Sequence, residues 1–572
     1  MTIPGLSRSL IAERTWSALV DLMVFGLVLA AIFGMLTIGR YWLGAVTPAA
    51  EISHSPRALP LYAFYSLVRM MTAYVLSLAF AIGYGYVAAY TPRLETVMIA
   101  ALDILQSIPV LSFLPGVMLA MVALFPSRQL GLELGSIVLI FTGQVWNMAF
   151  SFYSSLKSIP RELREAASIY GFGGWQRFLE LELPYGTIGL VWNSIVSVAS
   201  GWFFLMACEM FELGNRDFRL PGLGSFLQNA ASNDDTAGVL WGLAAMIAVI
   251  VMLDQLLWRP LIAWSDRFKF EQVESSGTTT SPLLHLLRGS RLSRWIASRA
   301  IRPVWKRVSA YADKPHPKTK HAQPPAWLIP IAGVLVVGLA GFALFHATLA
   351  LKDVTRAELG STFLAAGATF LRVAAALVIA SLWTIPTGVA IGFNRKLARI
   401  AQPLAQVAAS VPATALFPVV LLLLVQMRGG LSVGAVILML LGTQWYILFN
   451  VIAGAMAIPT ELREASAVFH FGRIQRWRTV ILPGIFPYLV TGLVTASGGA
   501  WNASIVAEYV HFKKQTLSTT GLGAQITHAS ETGNFGLLLL STIVMAALVV
   551  CINRAVWRPM YHLAETRYRL EG

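Results

Sequence analysis

Two segments concentrate the residues whose types and spacing could carry a mechanism. The first reads IPRELREAASIYGFGGWQRFLELELP from Ile159 to Pro184, and the second IPTELREASAVFHFGRIQRWRTVILP from Ile458 to Pro483. Pro160 and Pro459 suit a first helical position, where the missing N–H costs little. Glu162, Glu165, Glu461 and Glu464 fall near the positive end of the helix dipole. Leu163, Ala166, Ala167 and Tyr170 recur at i, i+3, i+4 and i+7, and Leu462, Ala465, Ser466 and Phe469 repeat the spacing. Each segment is therefore expected to form a short helix with one narrow apolar face of small residues, which another surface can approach closely. The chemistry this suits is docking rather than bond-making. For one copy alone, an ordinary interfacial helix packed on its own bundle is the competing reading. Two copies at matching positions favour a shared docking role.

A second set of polar residues lies inside apolar runs. An ionised side chain there costs about 2.5–3.5 kcal/mol at a helix centre on insertion scales, so its presence asks for a reason. Arg69 and Arg372 form a repeated pair that could attract an anion at the outer vestibule, snorkel toward the headgroups, or pair with a glutamate within the protein. Glu209 and Glu508 would repel an anion and read instead as fixing the loop that follows each. Ser197 and Trp202, and in the other copy Ser497, Trp501 and Asn502, offer hydroxyl, amide and indole N–H donors for a dehydrated oxyanion. Small polar residues equally permit close helix packing. Asp103 aligns with Gln406 and has no assigned role. The chain shows no GxxxxGK[ST], HExxH or GxSxG pattern and no Cys–His cluster. Its two cysteines, Cys208 and Cys551, do not match each other in the two copies. It reads as neither an enzyme nor a cofactor protein.

The elements that must hold these residues are membrane helices. The chain has 572 residues, 56% hydrophobic and only 12% charged, against about 25% charged in a soluble protein. A bilayer core of about 30 Å takes about 20 helical residues. Twelve runs qualify: near 16–40, 62–90, 97–125, 132–156, 186–207 and 236–258, then 326–350, 363–393, 400–427, 431–456, 485–507 and 535–557. The first is too long for the apolar part of a secretory leader. Pro109 and Pro115, or Pro412 and Pro418, predict a break in the third run of each set. The net charge of +15 collects between the runs, where it sets topology and meets lipid headgroups rather than nucleic acid. The connection 259–325 carries 13 Lys and Arg against 4 Asp and Glu. That side is expected to be cytoplasmic, with both termini on it. Within the connection, about 282–314 reads either as an amphipathic helix on the headgroups or as a solvated tether.

The twelve runs are two copies of six. Arg69, Gly85, Pro109 and Pro115 return at an offset of 303 as Arg372, Gly388, Pro412 and Pro418. From the fourth run the offset is 299: Trp146, Pro160, Glu165, Pro184, Trp202 and Glu209 return as Trp445, Pro459, Glu464, Pro483, Trp501 and Glu508. Gly222-Leu223-Gly224 returns as Gly521-Leu522-Gly523, and Trp258-Arg259-Pro260 as Trp557-Arg558-Pro559. An even number of spans per copy makes the repeats parallel, about an axis along the membrane normal, with a pathway at their interface. The expected organisation is a first transmembrane domain over 1–270, a basic linker over 271–325 and a second transmembrane domain over 326–572.

The first segment, with Glu165-Ala166-Ala167, Gly171 and Leu181-x-Leu183-Pro184, resembles the cytoplasmic loop of permeases of ATP-binding-cassette (ABC) importers. The second copy departs from that pattern at Ser466 and His470, but keeps Val480-x-Leu482-Pro483. Gly472 lies near, and histidine tolerates positive φ better than most residues, so the turn is expected to survive. The resemblance covers nearly the whole chain outside the central connection. It implies an all-α polytopic fold of about twelve spans in two parallel six-helix repeats, in a cell inner membrane. It also implies two separate ABC ATPase subunits, an extracytoplasmic solute-binding protein and a small solute. The coupling residues it implies are Pro160, Leu163, Glu165, Ala166, Ala167, Gly171 and Pro184, with Pro459, Leu462, Glu464, Ala465, Gly472 and Pro483. The repeated in-span arginine, the Ser-Ile-Pro or Ser-Val-Pro of the third run, and Gly-Leu-Gly 13 residues beyond Glu209 or Glu508 are similar to the nitrate, sulfonate, taurine and bicarbonate branch. That branch implies a small anion as cargo. The alternative is a secondary carrier of the major-facilitator type, whose basic Gly-Asp motif between spans two and three neither copy shows.

Overall fold

A computed structural model describes residues 55–126, 129–213, 216–233, 235–268, 354–411, 413–424, 430–512 and 515–567, with a few isolated positions besides. The runs expected at 16–40 and 326–350 lie outside the described residues, the second except for a few positions, as do the two termini and the basic linker apart from isolated positions. Eight helices among the described residues are long and apolar enough to cross a membrane. They belong to two matching series. The first is α1 (Leu59–Tyr90), α2 (Pro92–Ser107), α3 (Leu114–Leu124), α4 (Leu130–Lys157), α5 (Arg161–Ile169), α6 (Gly174–Glu209), α7 (Leu223–Ser232) and α8 (Thr236–Ser265). The second is α9 (Arg356–Phe393), α10 (Arg395–Ser410), α11 (Ala413–Leu424), α12 (Gly430–Ala457), α13 (Thr460–Val468), α14 (Arg473–Ala507), α15 (Leu522–Thr532) and α16 (Phe535–Ala564). Two hairpins follow α6 and α14: β1 (Glu212–Leu213) with β2 (Arg216–Asp217), and β3 (Tyr509–Phe512) with β4 (Gln515–Ser518), both antiparallel.

Proline placement explains most irregularities. The third run is broken between α2 and α3, where Pro109 is extended and a 3-10 turn covers Val110–Phe113. In the second series the break falls between α10 and α11; Pro412 itself lies outside the described residues. Each of α6, α8, α14 and α16 contains one widened π-turn, and each π-turn ends just before a proline. Leu183 N–H donates to Phe178, five residues back, ahead of Pro184. Arg259 donates to Asp254 ahead of Pro260, Leu482 to Trp477 ahead of Pro483, and Arg558 to Asn553 ahead of Pro559. A proline ring clashes with the carbonyl four residues back and has no N–H to offer it. One extra residue in the turn relieves both problems without breaking the helix.

Helix association rests on small residues, since lipid removes the usual hydrophobic drive between apolar surfaces. Along α1 the buried positions include Ala73, Ser77, Ala81 and Gly85, one per turn. They let α4 approach until a Cβ at Gly85 would stand 3.1 Å from the Ala149 carbonyl. In the second series Ala376, Ala380, Thr384 and Gly388 form the same stripe on α9, packed on α12. The halves interlock reciprocally at their broken third runs. The Val110–Phe113 turn lies on α14, and α11 lies on α6 and α7. Leu111 N–H donates to Asn502 Oδ1 at 3.4 Å, and Thr542 Oγ1 to the Ser112 carbonyl at 3.3 Å.

Candidate functional site

At one end of the bundle, α5 and α13 follow α4 and α12 after an extended proline, Pro160 or Pro459. Both helices stop the same way. Gly171 has φ +70°, its N–H donates to Ser168, and the next N–H, from Phe172, reaches back to Ala167 at 2.9 Å. His470 takes φ +51°, with His470 donating to Ala467 and Phe471 to Ser466 at 3.0 Å. This is the left-handed stop usually built on glycine, and histidine completes it in the second copy. Ala167 and Ser466 are buried at 5% and 2% exposure. They seat each helix on its bundle, while Glu165 and Glu464 face outward and Ala166 and Ala465 are half-buried. Leu163 packs on the cluster around Phe152, whereas Leu462 is exposed. The apolar tips stand free of their own bundle: Ile169 and Tyr170 are 83% and 79% exposed, Val468 and Phe469 73% and 72%. Gly171 and Gly472 are exposed and have open space where a Cβ would sit. Pro184 and Pro483, half-buried, follow the π-turns that join these loops to α6 and α14.

Beneath α5 an ion pair ties the loop to the spans. The buried Glu182 accepts from Tyr90 Oη at 2.6 Å and from Arg177 Nε at 2.7 Å. At the equivalent places the second half has Ile481 and Phe393. There the Arg476 Nε is buried with no hydrogen-bond partner, and the Arg463 guanidinium lies 4.3 Å from the Phe393 ring centre.

At the opposite end, Arg69 and Arg372 each form part of a polar staple. Arg69, 1% exposed, donates through Nε and Nη2 to Glu133 at 2.6 and 2.7 Å, and through Nη1 to Glu209 and the Pro221 carbonyl at 2.8 Å. Glu209 also accepts from Ser66 Oγ at 2.6 Å and from Gly224 N–H at 2.7 Å, at the start of α7. A Cβ at Gly222 would collide with that carboxylate, which accounts for the glycine 13 residues downstream. In the second half Glu508 meets Arg372 at 2.8 Å, Thr369 at 2.9 Å and Gly523 N–H at 2.9 Å. Ser432 stands where the first half has Glu133, 3.4 Å from Arg372 Nη2. Both glutamates thus fix the turn after their span, and both arginines are engaged by carboxylates of their own half.

Of the in-span donors, Trp202 and Trp501 are buried at 2% and 1% exposure, Ser197 at 0% and Ser497 at 4%. The Ser197 hydroxyl has no partner. Asn502 bridges to the other half through Leu111. One turn beyond the tryptophans, Met206 and Ile505 line a cavity of about 180 Å³ between the halves. Its walls are pseudo-symmetric: Leu227 and Phe211 line it from one half, and their counterparts Ile526 and Val510 from the other. Of the seven buried side-chain polar atoms that lack a partner among the described residues, three belong to residues lining this cavity: Gln228 Oε1, Thr414 Oγ1 and Ser530 Oγ. Most buried polar groups are paired; these three atoms are themselves closed off from the cavity that their residues line. The sequence alone did not single out these three. Their only signal is that they are polar residues in otherwise apolar surroundings, and their meeting depends on contacts between the halves.

The chain matches twice the family model described as the binding-protein-dependent transport system inner membrane component, over residues 81–258 and 384–558. Among curated proteins it is 28% identical over 189 residues to the bicarbonate transport system permease protein CmpB of Synechococcus elongatus, covering 33% of this chain and 65% of CmpB. The nitrate import permease protein NrtB of Leptolyngbya laminosa is 26% identical over 33% of this chain and 64% of its own length. The taurine transport system permease protein TauC of Escherichia coli is 27% identical over 32% of this chain and 61% of its own. Each of these matches spans less than two thirds of the relative's length.

Proposed function

The chain belongs to the family of binding-protein-dependent transport system inner membrane components, and from that premise we propose that it is the complete membrane pathway of an ATP-driven importer, with two separate ATPase subunits docked on α5 and α13. The observation that carries the reading is the pair of loop helices. Each has one face seated on the bundle, the same left-handed stop, and an apolar tip that its own half leaves uncovered. Exposed Tyr170 and Phe469 at matched ends suit grooves of a pair of motor subunits. Repetition of the exposed apolar tip at both loops supports a partner surface there. Glu165 and Glu464 face outward beside it. Movement there would reach α6 and α14 through the π-turns before Pro184 and Pro483. The loop ends would lie in the cytoplasm, and the hairpin ends, with the cavity, would face an external solute-binding protein.

The cargo names carried by the relatives are bicarbonate, nitrate and taurine, which supports a small, oxyanion-bearing solute. In this reading Trp202, Trp501, Ser197, Ser497 and Asn502 flank the route between halves, and Arg69 and Arg372 hold its outer rim in shape. The test is copurification of the full chain with its ATPases, followed by transport and ATP hydrolysis in vesicles. Gly171→Leu should leave the chain inserted while separating hydrolysis from transport. Solute uptake by the purified chain without ATPases, driven by an ion gradient, would overturn the reading.

A further inference from the structure

The two polar staples are one construction, except along one edge of the guanidinium. Arg372, Glu508 and Thr369 match Arg69, Glu209 and Ser66, and the Thr520 carbonyl accepts from Arg372 Nη1 as the Pro221 carbonyl does from Arg69. On the other edge the halves part. Arg69 gives Nε and Nη2 to the two oxygens of Glu133 at 2.6 and 2.7 Å. Arg372 instead has Ser432 at the glutamate's position and Thr519 at that of Leu220. Its Nη2 donates to Thr519 Oγ1 at 2.9 Å and lies 3.4 Å from Ser432 Oγ, while its Nε has no partner among the described residues. Ser432 is exposed, and Arg372 is 12% exposed against 1% for Arg69, so this edge meets solvent. The two hydroxyls stand 2.6 Å apart and share one proton between them. Whichever one gives it, the proton of the other is left unspent.

The second half thus holds a charged N–H and an O–H with nothing of its own to receive them. Donors beside a guanidinium suit an anion with two oxygens, which the planar N–H fork matches in geometry. Glu508 stands close by and repels a second negative charge, but the first half shows that the arrangement tolerates one. There a single guanidinium holds Glu133 and Glu209, both 0% exposed. We propose that Arg372, Ser432 and Thr519 form an anion site on the second half alone, taking a small planar oxyanion where the first half uses the carboxylate of Glu133. One oxygen accepts from Arg372 Nε and another from the unspent hydroxyl proton. Thr519 also donates its N–H to the Glu508 carbonyl at 3.0 Å, so a bound anion braces the turn after β4. Which side of the membrane the site faces rests on the transport reading; the binding itself is measured on the permease alone.

The test uses the full chain in nanodiscs and follows its melting temperature by tryptophan fluorescence at constant ionic strength. Sodium formate and sodium nitrate are the probes, with sodium chloride as the reference that lacks a second oxygen. Formate and nitrate should raise the melting temperature in a saturable way beyond chloride. Ser432→Glu gives the second half the carboxylate that the first half already has. That variant should melt higher than the wild type without any probe and lose the formate response. Arg372→Lys keeps the charge beside Glu508 but not the fork, and should weaken formate roughly tenfold. No saturable shift beyond chloride, or a formate response unchanged in Ser432→Glu, would each overturn the site. None of these results bears on whether ATPases copurify, so the two readings fail separately.

Discussion

A guanidinium leaves water only at high cost, and two carboxylates around it make the arrangement depend on every partner staying in place. Arg69 sits in that position with Glu133 and Glu209. Removing it strands two buried carboxylates. Arg69→Met should therefore cost about 3–5 kcal/mol, read as a lower unfolding midpoint in detergent. Arg372 has one carboxylate, hydroxyl partners and 12% exposure, so Arg372→Met should cost less, about 1–3 kcal/mol. Equal losses at the two sites would contradict the geometry. The left-handed stops give a second residue-scale expectation. A β-branched side chain is strained there by about 1–2 kcal/mol, so Gly171→Val should destabilise α5, while His470→Gly should stabilise α13 by about 1 kcal/mol. Hydrogen exchange of the two short helices measures both. The repeated arginines and glutamates were visible in the sequence. That Glu133 completes one staple and Ser432 stands in its place in the other was not, because those partners come from a different helix, 64 and 60 residues away.

Among the elements, the four π-turns share one cause, and the cause was already in the sequence. The Leu-Pro and Trp-Arg-Pro motifs marked the prolines, but nothing in their spacing told a kink from a widened turn. That choice is made by packing, which keeps each helix continuous from loop to core. Pro184→Ala removes the clash and supplies the missing N–H, so the turn should close to ordinary α geometry. Closing it by one residue rotates the loop side by about 100° relative to the span. Transport should fall while insertion and stability hold, and disulfide cross-linking between introduced cysteines in α5 and α1 should change its pattern. The break at Pro109 and the amphipathic loop helices were legible for a related reason: local sterics and periodicity decide them. The short helices α7 and α15 and the two hairpins escaped the reading. The starts of both helices are held by a buried carboxylate from the preceding span rather than by their own propensity.

For the whole molecule, the two-fold design was plain from the offsets of 303 and 299, yet the interface between halves was not. Its contacts join residues hundreds of positions apart, such as Leu111 with Asn502 and Ser112 with Thr542. Because each half places its broken third run on the other, the connection between them should be dispensable for assembly. Residues 1–270 and 326–572, coexpressed as separate chains, should copurify through a tag on either one. Failure of both to associate while each still inserts would show that the tether, not the interface, brings them together.

His470 has one more consequence. If two identical chains formed this assembly, any change at the loop stop would be inherited on both sides at once, and a poor turn would have no sound twin to lean on. Fusion into one polypeptide frees each side to drift under its own selection. The left-handed histidine opposite a left-handed glycine is a difference that only a chain carrying both halves can hold, so the two stops of one molecule can differ in stiffness.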